Sequence, residues 1–205
     1  AIVTGATSGI GFEVAKRLGQ DGFTVILNGI EDAEGEKKAA ELQADGISAE
    51  YVGFDVTNED AVNSNIQAIG KKYGKIDVLV NNAGGLGGRQ RFEEMTTDFY
   101  RKVMALNLDS TFFASRAAIP YLKKGDHPTI INYTSNAGWN AGGPGAGISG
   151  TSKAGVHAIT RALTKHFAEY KIRVNAVTPG TIYAPFLATI PTPNPRVLPP
   201  GENKN

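Results

Sequence analysis

Short apolar runs alternate along this chain with longer stretches in which apolar residues return every three or four positions. The runs are Ala1-Ile2-Val3, Phe23–Leu27, Ala49–Phe54, Ile76–Val80, Thr129–Tyr133 and Arg173–Val177. Runs this short that lack a regular polar alternation suit strands covered on both faces. Between them, Ile10, Val14 and Leu18 mark a helix from about Ser8 to Gln20, and Glu34–Ala44 reads as a polar helix closed by Asp45-Gly46. Val62, Ile66 and Ile69 mark a third helix that ends at Gly74, and Thr57-Asn58-Glu59-Asp60 ahead of it has the capping-box form. A long helix is predicted from Thr96 or Thr97 through Phe99, Val103, Leu106 and Ala114 to Lys124, with Asn107 inside it. A last helix is predicted over Thr151–Tyr170, packing through Ala154, Ala158, Ile159, Ala162 and Phe167. Strand and helix in strict alternation predict an α/β fold, a doubly wound parallel sheet of the Rossmann type in three layers.

Composition narrows the class without naming a function. The 205 residues fit one domain with a sizeable core, and 41% hydrophobic content is ordinary for a soluble protein. A formal charge of +1 gives no reason to expect nucleic acid or a membrane surface as partner. Cysteine is absent, so there is no disulfide framework and no thiolate metal site. No apolar run approaches the roughly 18 residues of a membrane span, and Ala1-Ile2-Val3 has no basic lead-in, so a cytoplasmic protein is the expectation. The opening on a strand without a starting Met implies a trimmed chain. The domain is expected over residues 1–190. The proline-rich segment 191–205, part of a stretch from Pro185 that lacks any regular period, reads as a lid or tail.

The chemistry begins at Thr4-Gly5-Ala6-Thr7-Ser8-Gly9-Ile10-Gly11, between the first strand and the first helix. Glycine there permits positive φ and close approach of backbone to a ligand, and the helix N-terminus suits a pyrophosphate. A tight βα connection is the plainer alternative. Glu31 and Asp32 follow the second strand slightly late for a ribose-binding acid; a solvated loop is the other reading. No Arg or Lys stands at that tip for a 2′-phosphate, so NAD is favoured over NADP. Asp55-Val56 and Asn81-Asn82-Ala83-Gly84 close the third and fourth strands at the edge where open α/β sheets bind ligands. Asn81 is a candidate to brace backbone there. Asn107 reads as a residue that bends the helix or binds backbone or water, or simply as an exposed one.

Taken with Ser135, Lys153 and Pro179-Gly180, these segments resemble the short-chain dehydrogenase/reductase family, in family order and at family-like separations over residues 1 to about 190. The resemblance implies NAD or NADP as cofactor and hydride transfer between it and a small alcohol or carbonyl substrate. The cofactor would lie on Gly5, Thr7, Ser8, Gly9, Ile10 and Gly11, and on Asp55, Val56, Asn82, Ala83, Gly84, Pro179 and Gly180. Lys153 would hold the nicotinamide ribose and lower the pKa of a catalytic Tyr, Ser135 would bind the substrate oxygen, and Asn107 would hold a relay water. Homodimers or homotetramers are implied, paired through the helices at Thr97–Lys124 and Thr151–Tyr170.

Three departures from the family pattern are visible. Ser149 stands one helical turn before Lys153, where the family carries Tyr. An alkyl hydroxyl is a far weaker acid than a phenol and reaches less far. The neighbouring phenols in sequence, Tyr133 and Tyr183, lack that helical relation to Lys153. Ala184 stands where a Thr often contacts the nicotinamide amide, and the family's further helix and seventh, edge strand are missing. Two readings follow: an oxidoreductase impaired at Ser149, by nature or by design, or a non-catalytic nucleotide-binding or assembly protein. Substrate identity is not legible, although the loops at Gly84–Gln90, Asn136–Ile148 and Pro185–Pro200 would shape its pocket, with Trp139 and Phe186 as candidate apolar walls.

Overall fold

Strand β1, Ile2–Val3, sits at the middle of the sheet, paired in parallel on one side with β2 (Val25–Gly29) and on the other with β4 (Val78–Asn81). The structure, a computed structural model, describes residues 1–180 and Ile182. With β3 (Ala49–Gly53), β5 (Thr129–Tyr133) and β6 (Arg173–Val177), the described sheet has six parallel strands in the order β3-β2-β1-β4-β5-β6. Strand order reverses at β1, so the crevice for a ligand opens at the carboxyl ends of β1 and β4. The seventh strand, Tyr183, Ala184, Phe186 and the 191–205 tail lie outside the described residues.

Helices cover both faces. On one side α1 (Gly9–Gln20) and α2 (Asp32–Ala44) bury Phe12, Ala15, Ala39 and Leu42. On the other, α3 (Glu59–Tyr73), α5 (Ser110–Leu122) and α7 (Gly147–Phe167) join the cluster of Ile2, Ile26, Leu79 and Ile130. Burial on both faces explains the apolar runs of β1, β2 and β4, whereas the edge strands β3 and β6 are partly exposed, contrary to the expectation for those runs.

The boundaries move where polar chemistry overrides period. Two strands lie later than expected, β2 taking in Asn28 and Gly29 and β4 ending on Asn81. The cap of α3 is Asn58, whose side-chain Oδ1 accepts from the Ala61 amide, whereas Thr57 turns back to the Asp55 carboxylate at 2.8 Å. The cap therefore lies one residue later than predicted, and with Ala61 at the third helical position the predicted capping box does not form. The helix from Thr97 is not uniform: α4 (Thr97–Met104) passes into a π turn at Ala105–Asp109 before α5 begins. Within Asn136–Gly147 lies a short helix, α6 (Ala137–Asn140), and α7 starts at Gly147, four residues earlier than expected. That earlier start puts Ser149 inside the first turn of α7.

Candidate active site

The glycine turn is built by exclusion. Gly5 has φ +60°, and a Cβ on it would stand 3.0 Å from Ala83 Cα. A Cβ on Gly11 would overlap the Gly5 carbonyl and the Asn82 amide. Gly9 has φ +54° with nothing within 4 Å of a Cβ, so its outer side is open. Ser8 caps α1 with no side-chain hydrogen bond, which leaves the first-turn amides and the positive end of the helix for an anion. Thr7 packs under Gly29, and Ile10 opens the helix.

The turn is tied to β4. Asn82 Nδ2 donates to the carbonyls of Thr4 and Gly5, both at 3.0 Å, while Thr4 Oγ1 accepts from the amides of Asn82 and Ala83. Asn28 binds it to β3: the Ala6 amide donates to the Asn28 carbonyl, and Asn28 Nδ2 donates to the Phe54 carbonyl at 2.9 Å. At the end of β3, Asp55 is exposed and Val56 is buried in the core. The brace expected of Asn81 belongs instead to Asn82. Asn81 Nδ2 donates to Ser115 Oγ and Asn132 Oδ1, and Asn132 in turn donates to Thr160 Oγ1, a buried polar chain from α5 through β4 and β5 to α7.

Across the crevice, Asn107 and Lys153 come together. Asn107 is wholly buried, which overturns the exposed alternative. Its Oδ1 accepts from the Gly85 amide at 2.9 Å, and its Nδ2 donates to the carbonyls of Gly85 (2.9 Å) and Val103 (3.0 Å). A residue that fastens its side chain to a separate loop explains the π turn: one extra residue per turn aims the carboxamide at Gly85. Lys153, 7% exposed, extends from the second turn of α7 and donates from Nζ to the Tyr133 carbonyl at 2.8 Å. A Cβ on Gly84 would stand 2.8 Å from Asn107 Oδ1 and 2.9 Å from Lys153 Nζ. Glycine, at φ +158°, is thus required where both polar tips close on this loop.

Electrostatics set Lys153 apart. Burial lowers its pKa to about 8, with no ion pair among the described residues to hold the charge. Ser135 lies at the end of β5, half-buried, its Oγ accepting from the Ala137 amide at 3.2 Å. Ser149 is 8% exposed, and its carbonyl accepts from the Ser152 hydroxyl at 2.7 Å. Pro179 is joined to this edge through its carbonyl, which accepts from the Asn136 amide, and Gly180 passes beside the Asn136 carboxamide.

Several contributors were not singled out from sequence: Thr4 and Asn28 as ties of the glycine turn, the Asn132–Thr160 link, and the Tyr133 carbonyl. Asn28 and Asn132 did carry a signal, each being a polar residue within an apolar strand. Trp139 of α6 lies against His157 of α7, ring centroids 4.5 Å apart.

A glycine turn under an open helix end, facing a buried lysine and asparagine at the strand carboxyl edge, defines a dinucleotide-dependent oxidoreductase domain. The chain belongs to the short-chain dehydrogenase family, whose model matches residues 1–194. An uncharacterised oxidoreductase of Bacillus subtilis (strain 168) is 35% identical over 182 residues, 89% of this chain and 70% of that protein. A 3β-hydroxysteroid dehydrogenase of Mediterraneibacter gnavus is 37% identical over 87% of this chain and 64% of its own. The crystal structure of NADH-dependent reductase A1-R′ complexed with NAD matches with a TM-score of 0.83 at 35% identity, covering 88% of this chain and 77% of that one. Actinorhodin polyketide ketoreductase with NADPH matches with a TM-score of 0.85 at 33% identity, over 92% and 72%. The chain is accordingly an enzyme of the short-chain dehydrogenase type, in the general class of NAD(P)-dependent alcohol and carbonyl oxidoreductases. Among the described residues no helix is long and apolar enough to cross a membrane, and no cluster of His, Cys, Asp or Glu could hold a metal ion.

Proposed function

We propose that this chain reduces a carbonyl compound, or oxidises the matching alcohol, with NAD as the preferred dinucleotide. The observation that carries the reading is that Lys153 Nζ and Asn107 Oδ1 both close on Gly84, opposite the open glycine turn. When bound, the dinucleotide supplies or accepts the hydride. Gly5, Thr7, Ser8, Gly9, Ile10 and Gly11 would hold its pyrophosphate side and Asp55 and Val56 its adenine end. Asn82, Ala83, Gly84, Pro179 and Gly180 would line the path to the nicotinamide. Lys153 would hold the adjoining ribose, Ser135 would donate to the substrate oxygen, and Asn107 keeps the Gly84–Gly85 backbone in place.

Charge around the end of β2 supports NAD. A groove of about 730 Å³ runs beside the glycine turn, lined by Thr7, Ser8, Phe12, Glu34 and Lys38 among others. Its lysine is engaged: Lys38 pairs with Glu41 at 2.8 Å and lies over the Phe12 ring, while Lys37 is near Glu34. A 2′-phosphate would find carboxylates and paired cations there. The protein is expected in the cytoplasm as a homodimer or homotetramer. Half-exposed Tyr100 and Phe112 on α4 and α5 support pairing through those helices.

Ser149 favours a second reading, a domain that binds the dinucleotide without turnover. Titration with NADH and NADPH by fluorescence, followed by assays on a panel of alcohols and ketones, separates the two. NADH is expected to bind more tightly; tighter NADPH binding overturns the cofactor preference. With the missing phenol as the only chemical defect, Ser149→Tyr is expected to raise turnover at least on the order of a hundredfold, the usual worth of a placed proton donor, with NADH affinity hardly changed. Zero turnover by both proteins on every substrate favours the non-catalytic reading.

A further inference from the structure

One buried, titratable side chain near the site is left without a partner. His157, on α7 one turn past Lys153, is 7% exposed, and its Nε2 has no hydrogen-bond partner among the described residues. It lies in the seat that α7 makes for α6. A Cβ on Gly150 would stand 2.6 Å from the Ala137 carbonyl oxygen and 2.9 Å from Ala141 Cα, so the two helices touch there. A Cβ on Gly138 would stand 3.0 Å from His157 Cδ2 and 3.1 Å from its Nε2. Trp139, 68% exposed, rests on the same imidazole at 4.5 Å and a tilt of 45°. A single helical turn does not hold itself in place. This one also ends at Ala141 in the left-handed region, φ +63°, which is costly for a residue with a side chain. The position of α6 therefore depends on α7.

The seat bears on the site through Ser135. The Ala137 amide donates to Ser135 Oγ at 3.2 Å, and the Gly138 amide donates to the Ser135 carbonyl at 2.9 Å. Hydroxyl and carbonyl of that serine are thus both held by the first residues of α6, and the hydroxyl proton is left for a substrate oxygen. We propose that His157 is a positioning residue of this site: as a neutral imidazole it seats α6 on α7 and so holds the Ser135 hydroxyl, and a proton on the ring unseats α6. The inference rests on the oxidoreductase reading above. An imidazolium carries N–H on both nitrogens, so the proton would set a charged donor on Nε2, inside the seat, with no acceptor. Burial opposes that charge, and so does Arg161 one turn further along α7, which together hold the His157 pKa below 6.5. The indole face favours a cation, but it offers Nε2 no acceptor. Other charged groups on the surrounding elements are engaged elsewhere: Lys153 donates to the Tyr133 carbonyl of β5 and Arg173 of β6 to Thr129. Asp109 of the π turn and the charged residues of α4 make no ion pair or hydrogen bond with the ring, and α6 carries no charge.

The chain's one tryptophan reports the seat directly. Between about pH 8 and about pH 5 the cofactor-free protein is expected to show one transition, with far-UV circular dichroism unchanged. Trp139 emission, the His157 ring resonances and the Ala137 amide resonance are expected to share it. Reductive kcat/KM is expected to fall through the same transition, by up to about tenfold per pH unit, with NADH affinity changing less than about threefold. His157→Phe keeps a ring under Trp139 and cannot take a proton. It is expected to hold Trp139 emission and the Ala137 amide constant over that range and to remove the acid limb of kcat/KM. His157→Gln, uncharged at every pH, makes the same test without the larger ring. An Ala137 amide that stays fixed while His157 or Trp139 titrates overturns the assignment and leaves the oxidoreductase reading intact. A His157 pKa at or above 6.5, or an acid limb that survives in both variants, does the same. A pH transition in the seat without turnover at any pH, in the chain or in Ser149→Tyr, overturns the oxidoreductase reading and with it the part of His157 in the reaction.

Discussion

Lys153→Met is expected to make the cofactor-free protein more stable near pH 7. The native side chain holds a buried ammonium with one hydrogen bond and no counter-charge among the described residues, and its pKa falls from 10.5 to about 8. That displacement corresponds to about 3 kcal/mol spent on keeping the charge buried. Methionine has similar length and no charge, so it removes this cost and leaves the Tyr133 carbonyl without its donor, a loss of about 1–2 kcal/mol. The net gain is on the order of 1–2 kcal/mol, or about 2–8 °C in Tm for a chain of this size. The pH dependence identifies the cause. Because the folded pKa lies below the unfolded one, the unfolded chain holds more protons between about pH 8 and 10.5, and native stability from this group rises across that window. The cost is fully present below pH 8 and relieved above 10.5. Urea unfolding of both proteins at about pH 7 and pH 10 measures the gap, and it should narrow at the higher pH. A Met variant less stable at pH 7, or a gap independent of pH, refutes the claim that burial alone sets this lysine's pKa. A stabilising loss of this kind is expected where a residue is kept for chemistry.

Gly11→Ala is expected to weaken NADH binding at least tenfold in a fluorescence titration, because its Cβ would push on the Gly5 carbonyl and the Asn82 amide; unchanged affinity would show that the turn does not bear on the dinucleotide. Asn107→Ala removes three hydrogen bonds and strands the Gly85 amide, so urea unfolding should show a loss of about 2–4 kcal/mol. A loss under about 0.5 kcal/mol would mean the Gly85 clamp is not what holds this loop.

The alternation of strands and helices and the layers were legible because burial is written locally. A strand covered on both faces must be apolar throughout, and Val78-Leu79-Val80 or Thr129-Ile130-Ile131 could hardly be anything else. Helix irregularities were not legible in the same way. Asn107 could be flagged as out of place in a helix, but the π turn depends on Gly85, 22 residues earlier, reaching its carboxamide. Ser149 could be placed one turn from Lys153 by spacing, whereas the meeting of Lys153 with Gly84 depends on where α7 crosses the end of β4.

The two neighbours Asn81 and Asn82 show why partners are harder to read than burial. Both stand at the end of β4, both are amides, and either could be assigned to brace the turn. Successive side chains on a strand point to opposite faces, so one amide must look toward α5 and β5 and the other toward β1 and α1. Which is which is set by the register Asn81↔Asn132 and Val3↔Val80, a property of pairing between strands distant in sequence. A slip of one residue would exchange their roles. It would also strand the Asn132 carboxamide and free the Gly5 turn from the Asn82 carboxamide just beyond β4. The buried polar chain from Ser115 to Thr160 therefore acts on the site without touching it. By fixing the register of β4 against β5, it decides that Asn82, Ala83 and Gly84 face the glycine turn, and that Gly84 arrives beside Lys153.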